Sequence, residues 1–114
     1  MLRLIISFII IIHGLIHLMG FTKAFQYGNI TQLTKDISKP LGVIWLLTAL
    51  LLLISAIFLI LQKNSWWMIC VPALAFSQLL IFMYWTDAKF GSIANLIILI
   101  YVLTFTGIIA KQFE

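Results

Sequence analysis

Hydrophobic residues fill four long stretches of the chain, and charged residues mark the breaks between them. Four stretches of 19, 23, 23 and 21 residues contain no Asp, Glu, Lys or Arg: 4–22, 40–62, 64–86 and 90–110. A helix needs roughly 20 apolar residues to cross the hydrocarbon core of a bilayer. In lipid, only helices and closed barrels satisfy every backbone polar group. The pattern therefore predicts an all-α transmembrane four-helix bundle, with helices near residues 3–22, 40–61, 66–85 and 91–110.

Proline and aromatic positions agree with these boundaries. Pro40 suits the first turn of the second helix, where its missing N–H leaves no hydrogen bond unmade. Pro72 lies inside the third helix and predicts a kink there. Aromatic residues bracket the third helix, as is typical of membrane interfaces: Trp66, Trp67, Tyr84 and Trp85.

The connection between the first two helices is the longest. Its segment "GNITQLTKDIS" carries Ile30, Leu33 and Ile37 at helical spacing. Asn29 is a suitable residue to cap the start of such a helix. We expect a short amphipathic helix lying on the membrane surface, and the alternative is a plain surface loop.

Composition excludes an ordinary soluble domain. The chain of 114 residues is 64% hydrophobic and 9% charged, whereas soluble domains average about 45–50% apolar and about 25% charged residues. The four stretches take up nearly all of the chain, so we expect a single four-span domain over residues 1–114. No small-x-small cleavage site follows the first stretch, so we expect a retained helix rather than a signal peptide.

Charge says little about partners and something about topology. The net charge of +4 comes from scattered residues, which does not suggest nucleic-acid binding. Four helices place both termini on one side of the bilayer. The positive residues divide almost evenly between the two sides: Arg3, Lys63 and Lys111 with the termini, and Lys23, Lys35, Lys39 and Lys89 opposite. The short N-terminus with its Arg favours termini in the cytoplasm.

Polar residues concentrate in one half of the predicted bundle. A helix rises about 1.5 Å per residue, which converts sequence positions into depths. Every predicted helix contributes to the half that carries the first and third connections, whereas the other half is mainly Leu, Ile, Val and Phe. We expect one ligand-binding pocket there, lined by His13, His17, Trp45, Gln78, Tyr84, Asp87, Lys89 and Asn95.

The two histidines of "HGLIH" are the strongest candidates for a functional role. Residues four apart lie on one face of a helix, and ionisable groups inside spans usually face the bundle interior. We expect His17 near the mouth, where water reaches it, and His13 deeper and hydrogen-bonded. The alternative is that both histidines bond to Gln78 and Asn95 and only hold the helices together.

Sharper chemistries compete for the same pair. H-x-x-x-H can place two imidazoles on one metal ion, but Gly14 stands where the zincin pattern has Glu, and we predict no metal site. Two histidines one turn apart cannot be opposite axial ligands of one haem, although one His from each subunit of a dimer could. Acid–base chemistry on a lipid head group or quinone is the third alternative. The sequence identifies no cofactor and no catalytic residue.

Three segments resemble a known family. "RLIISFIIIIHGLIHLMGFTKAF" is similar to the first helix of DoxX-like proteins, which are small bacterial four-helix membrane proteins, in its Arg, its apolar run and its His-Gly pair. "SKPLGVIWLLTALLLL" and "WTDAKFGSIANLIIL" look like blocks that recur in bacterial proteins of this size. Many DoxX-like chains carry Glu-Gly at the start of the second helix, where this chain has Lys39-Pro40-Leu41-Gly42. The resemblance implies a multi-pass protein of the bacterial cytoplasmic membrane, and some such relatives are tied to oxidoreductase or quinone systems.

Two classes of function follow. The first is a membrane protein that binds a small ligand, a lipid head group or a quinone in the polar pocket. The second is a structural or accessory subunit, whose partners are further copies of the chain or a larger membrane complex. A small proton-coupled transporter is a further alternative. It would depend on the histidines, because none of the four stretches contains a carboxylate.

Overall fold

The protein is described by a computed structural model over residues 1–27 and 35–107, and these residues form helices and no strand. Three long helices, α1 (Leu2–Ala24), α2 (Lys39–Ile60) and α3 (Trp66–Met83), are long and apolar enough to cross a membrane. A single turn, α4 (Trp85–Ala88), precedes the shorter apolar helix α5 (Gly91–Phe105). The predicted all-α class is confirmed, and the three long helices indicate a membrane protein.

Two parts of the sequence-based prediction fall partly outside the described residues. Residues 28–34, which hold most of the predicted interfacial helix, are not described, and residues 35–38 are not helical. The fourth predicted helix extended to residue 110. Its described part ends at Phe105, and residues 108–114 lie outside the description.

Local sequence explains where α1 and α2 begin and end. Ser38 caps α2 by accepting a hydrogen bond from the N–H of Leu41, and Pro40 occupies the first turn as predicted. Two residues after the end of each helix stands a glutamine in the left-handed region, Gln26 with φ 58° and Gln62 with φ 61°. The N–H groups of each glutamine and the following residue bond back to the last turn, which satisfies carbonyls that would otherwise be unpaired.

Helices α1 and α2 pack against each other more extensively than any other pair. At one end Gly42 lies directly against Ala24, where an added Cβ would overlap the Cβ of Ala24. At the other end, Arg3 donates from Nη1 to the carbonyl of Ile60 at 2.5 Å, which ties the start of α1 to the end of α2. The two helices are therefore antiparallel neighbours.

Buried apolar residues form two clusters, one towards each end of the helices. The larger cluster includes Ile10, Leu52 and Trp66, and the smaller one includes Trp45 and Tyr84. The outer surface is also apolar, with large exposed side chains on α1, α2, α3 and α5, among them Phe8, Ile57, Leu79 and Ile93. Such continuous apolar exposure is uncommon on proteins whose surface faces water.

The connection after α3 differs from the sequence-based expectation. The third predicted helix ran to residue 85, whereas α3 ends at Met83 and Trp85–Ala88 folds into the separate helical turn α4. The N–H groups of Asp87 and Ala88 both bond to the carbonyl of Tyr84, at 3.0 and 2.9 Å. This turn brings Asp87 and Ala88 against the end of the bundle that holds the histidines.

Candidate functional site

His13 and His17 both point inward from α1. Their side chains are 4% and 2% exposed, and their ring centroids lie 4.6 Å apart in an edge-to-face arrangement. The shared inward face agrees with the i, i+4 spacing. We expected His17 to be the more exposed of the two, but both side chains are buried and His17 is the less exposed.

A closed loop of hydrogen bonds joins the histidines to α3 and α5. Nε2 of His13 lies 2.7 Å from Oδ1 of Asn95, and Nδ2 of Asn95 lies 3.1 Å from Oγ of Ser77. Oγ of Ser77 lies 2.8 Å from Nε2 of His17. Nδ1 of His17 then lies 2.8 Å from the backbone carbonyl of His13, which closes the loop.

With both rings neutral, the loop assigns every proton. A carbonyl can only accept, so Nδ1 of His17 carries the hydrogen and its Nε2 accepts from the hydroxyl of Ser77. The Ser77 oxygen accepts in turn from the amide of Asn95. Oδ1 of Asn95 accepts from Nε2–H of His13, so Nδ1 of His13 carries no hydrogen. The two histidines are therefore opposite tautomers.

A side branch leads from the loop to the groove between α3 and α5. Nδ2 of Asn95 donates to Oε1 of Gln78 at 3.0 Å, and Nε2 of Gln78 donates to Oγ of Ser92 at 2.9 Å. The sequence-based alternative paired the histidines with Asn95 and Gln78. The structure pairs His13 with Asn95 and His17 with Ser77. Gln78 forms its hydrogen bonds with Asn95 and Ser92.

Sequence reasoning missed Ser77, although a signal was present. Trp66, Cys70 and Ala73 are buried positions of α3 at helical spacing, and Ser77 continues that row towards Leu80. Gln78 is the next residue and points about 100° away around the helix axis. A polar residue on the buried row was therefore a better candidate than its larger neighbour.

Next to the loop lies a cavity of about 410 Å³, bounded by α1, α2, α3, α4 and α5. Most of its wall is apolar, and histidine and aspartate provide the ionisable groups. The lining residues are His13, Ile16, His17, Met19, Trp45, Ile81, Asp87, Ala88, Phe90, Gly91 and Ala94. The carboxylate of Asp87 accepts a hydrogen bond from the backbone N–H of Lys35 at 3.2 Å, which links the first connection to α4.

An aromatic wall closes one side of the cavity. The indole of Trp45 lies between His17, with ring centroids 5.3 Å apart, and Tyr84, at 5.7 Å. Gly20 packs directly on the face of this indole. The indole Nε1–H of Trp45 is fully buried and has no hydrogen-bond partner among the described residues.

Of the eight predicted site residues, four line this cavity: His13, His17, Trp45 and Asp87. Tyr84 contacts the indole of Trp45, with ring centroids 5.7 Å apart. The ammonium of Lys89 lies 5.4 Å from the ring centroid of Phe90. Gln78 and Asn95 line a separate open groove of about 550 Å³ between α3 and α5. The structure thus divides the predicted set between the cavity, its support and a second groove.

Nδ1 of His13 is the ring nitrogen that the loop does not use. It has no hydrogen-bond partner in the described part of the chain. The polar side-chain atoms there that are both fully buried and unpaired belong to Trp45 and Trp66, so this nitrogen keeps accessible surface. His13 lines the cavity, which makes Nδ1 its candidate atom for contact with a molecule that enters.

Within residues 1–27 and 35–107, no three His, Cys, Asp or Glu side chains are grouped as metal ligands would be. Comparison with protein-family models, with curated proteins and with solved structures finds no match for the chain.

Proposed function

We propose that the protein is a four-span protein of the bacterial cytoplasmic membrane that binds a small, largely apolar ligand in the histidine-lined cavity. The span count is supported by three long apolar helices and by α5, which opens the fourth uncharged stretch, 90–110. The apolar outer surface supports contact with lipid. The bacterial location and the DoxX-like relationship are proposed from the sequence resemblance.

The observation that carries the binding function is the cavity itself. Ligand sites are commonly clefts of about 300–1,000 Å³ with apolar walls and a few polar groups that fix orientation. This cavity has about 410 Å³, a wall of aliphatic and aromatic side chains, and His13 with an unused ring nitrogen. A molecule with an apolar body and one polar group, such as a quinone-type ring or the upper part of a lipid, fits this description.

The hydrogen-bond loop also supports a binding role for the histidines, beyond a role in joining the helices. Histidines that served only to join helices would have their polar atoms bonded inside the bundle. Those of His17 are bonded in this way, whereas His13 bonds through Nε2 alone. The loop holds the ring of His13 in one orientation, as a binding site requires of the groups that contact its ligand.

Binding is tested by filling the cavity. Ala94 lines it, so Ala94→Phe should remove the bound molecule. The control is Ile93→Phe on the same helix, because Ile93 is 59% exposed and lies outside the cavity. Native mass spectrometry of the purified chain should show a small molecule on the wild type and the control but not on Ala94→Phe. A wild type that carries nothing, and takes up no added quinone or lipid, would contradict the proposal.

The span count has its own test. Single cysteines at Leu2 and Lys111, in a Cys70→Ser background, should react with an impermeant reagent from the same side of the membrane. Reaction from opposite sides would exclude four spans.

One observation favours a second candidate function. The groove between α3 and α5 exposes a polar branch, Gln78 to Ser92, on an otherwise apolar flank. Polar groups facing lipid are costly, and helix–helix contacts in membranes often bury them. This supports an accessory subunit of a larger complex. Co-purification of a stable partner that is lost in Gln78→Leu would support it.

A further inference from the structure

We infer that the cavity selects ligands that present a hydroxyl group, as a hydrogen-bond donor, to Nδ1 of His13. This inference rests on the proposed function, because it names the chemistry of the molecule that the cavity binds. It concerns binding alone and requires no reaction.

The direction of the hydrogen bonds in the loop determines which nitrogen of His13 carries the hydrogen. The carbonyl of His13 forces the hydrogen of His17 onto Nδ1. The remaining protons follow around the ring, and the hydrogen of His13 lies on Nε2, pointed at Asn95. Oγ of Ser77 has longer contacts to Oδ1 of Asn95, at 3.3 Å, and to Nε2 of His13, at 3.2 Å. The shorter bonds at 2.8 and 2.7 Å therefore hold the protons.

The polar side-chain atoms on the cavity wall determine which kind of hydrogen bond a ligand can form there. Nδ1 of His13 is an acceptor, and both nitrogens of His17 are already bonded. The carboxyl group of Asp87 accepts a hydrogen bond from the backbone N–H of Lys35. The one indole N–H among the lining residues, on Trp45, has no accessible surface. A ligand that forms a hydrogen bond with Nδ1 of His13 must therefore supply the donor.

A hydroxyl and an ammonium group differ in the free energy that it costs to bring them into the cavity. Both donate, but an ammonium must also lose its hydration, which costs far more in apolar surroundings than the same transfer of a hydroxyl. Most residues that line the cavity with His13 present hydrocarbon, including Ile16, Ile81 and Ala94. A neutral hydroxyl is therefore the donor that this cavity accommodates best.

The preference for a hydroxyl donor distinguishes between the quinone and lipid ligands that the sequence analysis left as alternatives. A hydroquinone donates hydrogen bonds, whereas a quinone can only accept them. A lipid alcohol such as a diacylglycerol donates, whereas a dialkyl phosphate accepts. We expect the cavity to prefer the reduced form of a quinone, or a lipid alcohol, over the corresponding acceptor.

The test uses two closely related probes, 4-nonylphenol and 4-nonylanisole, which differ by replacement of the hydroxyl hydrogen with a methyl group. Binding to the full chain in detergent is measured by equilibrium dialysis, with both probes in competition. The phenol should bind about two- to tenfold more tightly, the range expected of one net hydrogen bond. His13→Gln retains an N–H near the position of Nε2 but removes Nδ1, so it should bind both probes with similar affinity.

A spectroscopic measurement checks the mechanism without mutation. In protein labelled with 15N-histidine, chemical shifts distinguish protonated from unprotonated ring nitrogens. The free protein should contain one Nε2–H and one Nδ1–H tautomer, and the phenol should shift the unprotonated Nδ1 while the anisole does not. Two histidines of the same tautomer would overturn the inference.

The outcomes separate the inference from the proposed function. Equal affinity for both probes, with both displaced in Ala94→Phe, overturns the hydroxyl preference and leaves the cavity as a ligand site. Tighter binding of the anisole has the same meaning. If neither probe binds to the wild type, the inference is overturned, and the mass-spectrometry test with added quinone or lipid decides the proposed function separately.

Discussion

The indole of Trp45 lies so close to Gly20 that a Cβ added at position 20 would overlap the ring. The absence of a side chain on α1 is thus what allows this residue of α2 to reach the cavity wall and contact His17. Glycine at position 20 is required here by close approach.

Gly20→Ala should therefore destabilise the protein and disturb the cavity. Overpacking of this kind typically costs about 1–3 kcal/mol. Thermal unfolding in detergent measures the loss, and Gly14→Ala is the control, since its nearest atoms would lie at 3.3 Å and need only small shifts. Trp45→Leu relieves the overlap, so the double variant should lose less stability than the sum of the two single variants. Simple additivity would contradict the stated contact.

Ser77→Ala should break the loop at two points. It removes the donor to Nε2 of His17 and the acceptor for Nδ2 of Asn95. Hydrogen bonds between membrane helices average about 0.6 kcal/mol, with a maximum near 1.7, so we expect a loss of about 1 kcal/mol in unfolding free energy. Ser92→Ala, at the end of the side branch, should lose less. An equal loss for both variants would show that the loop has no special contribution.

Gln78→Leu should leave ligand binding unchanged. Gln78 was predicted to line the pocket, but it faces the groove between α3 and α5, and its hydrogen bonds are to Asn95 and Ser92. The bond between Asn95 and His13 remains in this variant. Equilibrium dialysis with 4-nonylphenol checks the result, with Ala94→Phe as the non-binding reference. A large loss of affinity would return Gln78 to the site.

Arg3→Leu should lower stability without affecting the cavity. Nη1 of Arg3 donates to the carbonyls of Ile60 and Leu59, at 2.5 and 3.4 Å, at the opposite end of the helices from the histidines. A cation at a helix C-terminus contributes about 0.3–1 kcal/mol. We expect a loss of that order in unfolding free energy and unchanged phenol binding. Arg3→Lys retains the charge, and a full loss in that variant would assign the effect to hydrogen-bond geometry.

The helices could be predicted from the sequence because their signal is local. Uncharged stretches of spanning length and Pro40 at a helix start require no knowledge of neighbours. The turn Trp85–Ala88 was missed because four residues carry no periodicity, and its hydrogen bonds begin at Tyr84, which the pattern assigned to α3.

The site could be predicted only in part, because depth and direction are separate quantities. Counting residues along a helix gives depth, and this brought His13, Trp45 and Asp87 to one end. Whether a side chain faces the cavity depends on how each helix is rotated against its neighbours. The rotation of α3 turns Ser77 towards the histidines and Gln78 towards the groove between α3 and α5. The sequence gives no local signal for this rotation beyond the row of buried positions in α3.

The backbone carbonyl of His13 gives the hydrogen-bond loop one more property. A proton can move along a chain of hydrogen bonds only if each member can both receive and pass on a proton, and a peptide carbonyl has none to pass. The closed loop therefore does not conduct protons. A proton that arrives at Nδ1 of His13 from the cavity has no onward route through His17 while the loop is closed. Any proton translocation by this pair would have to begin with the loop opening.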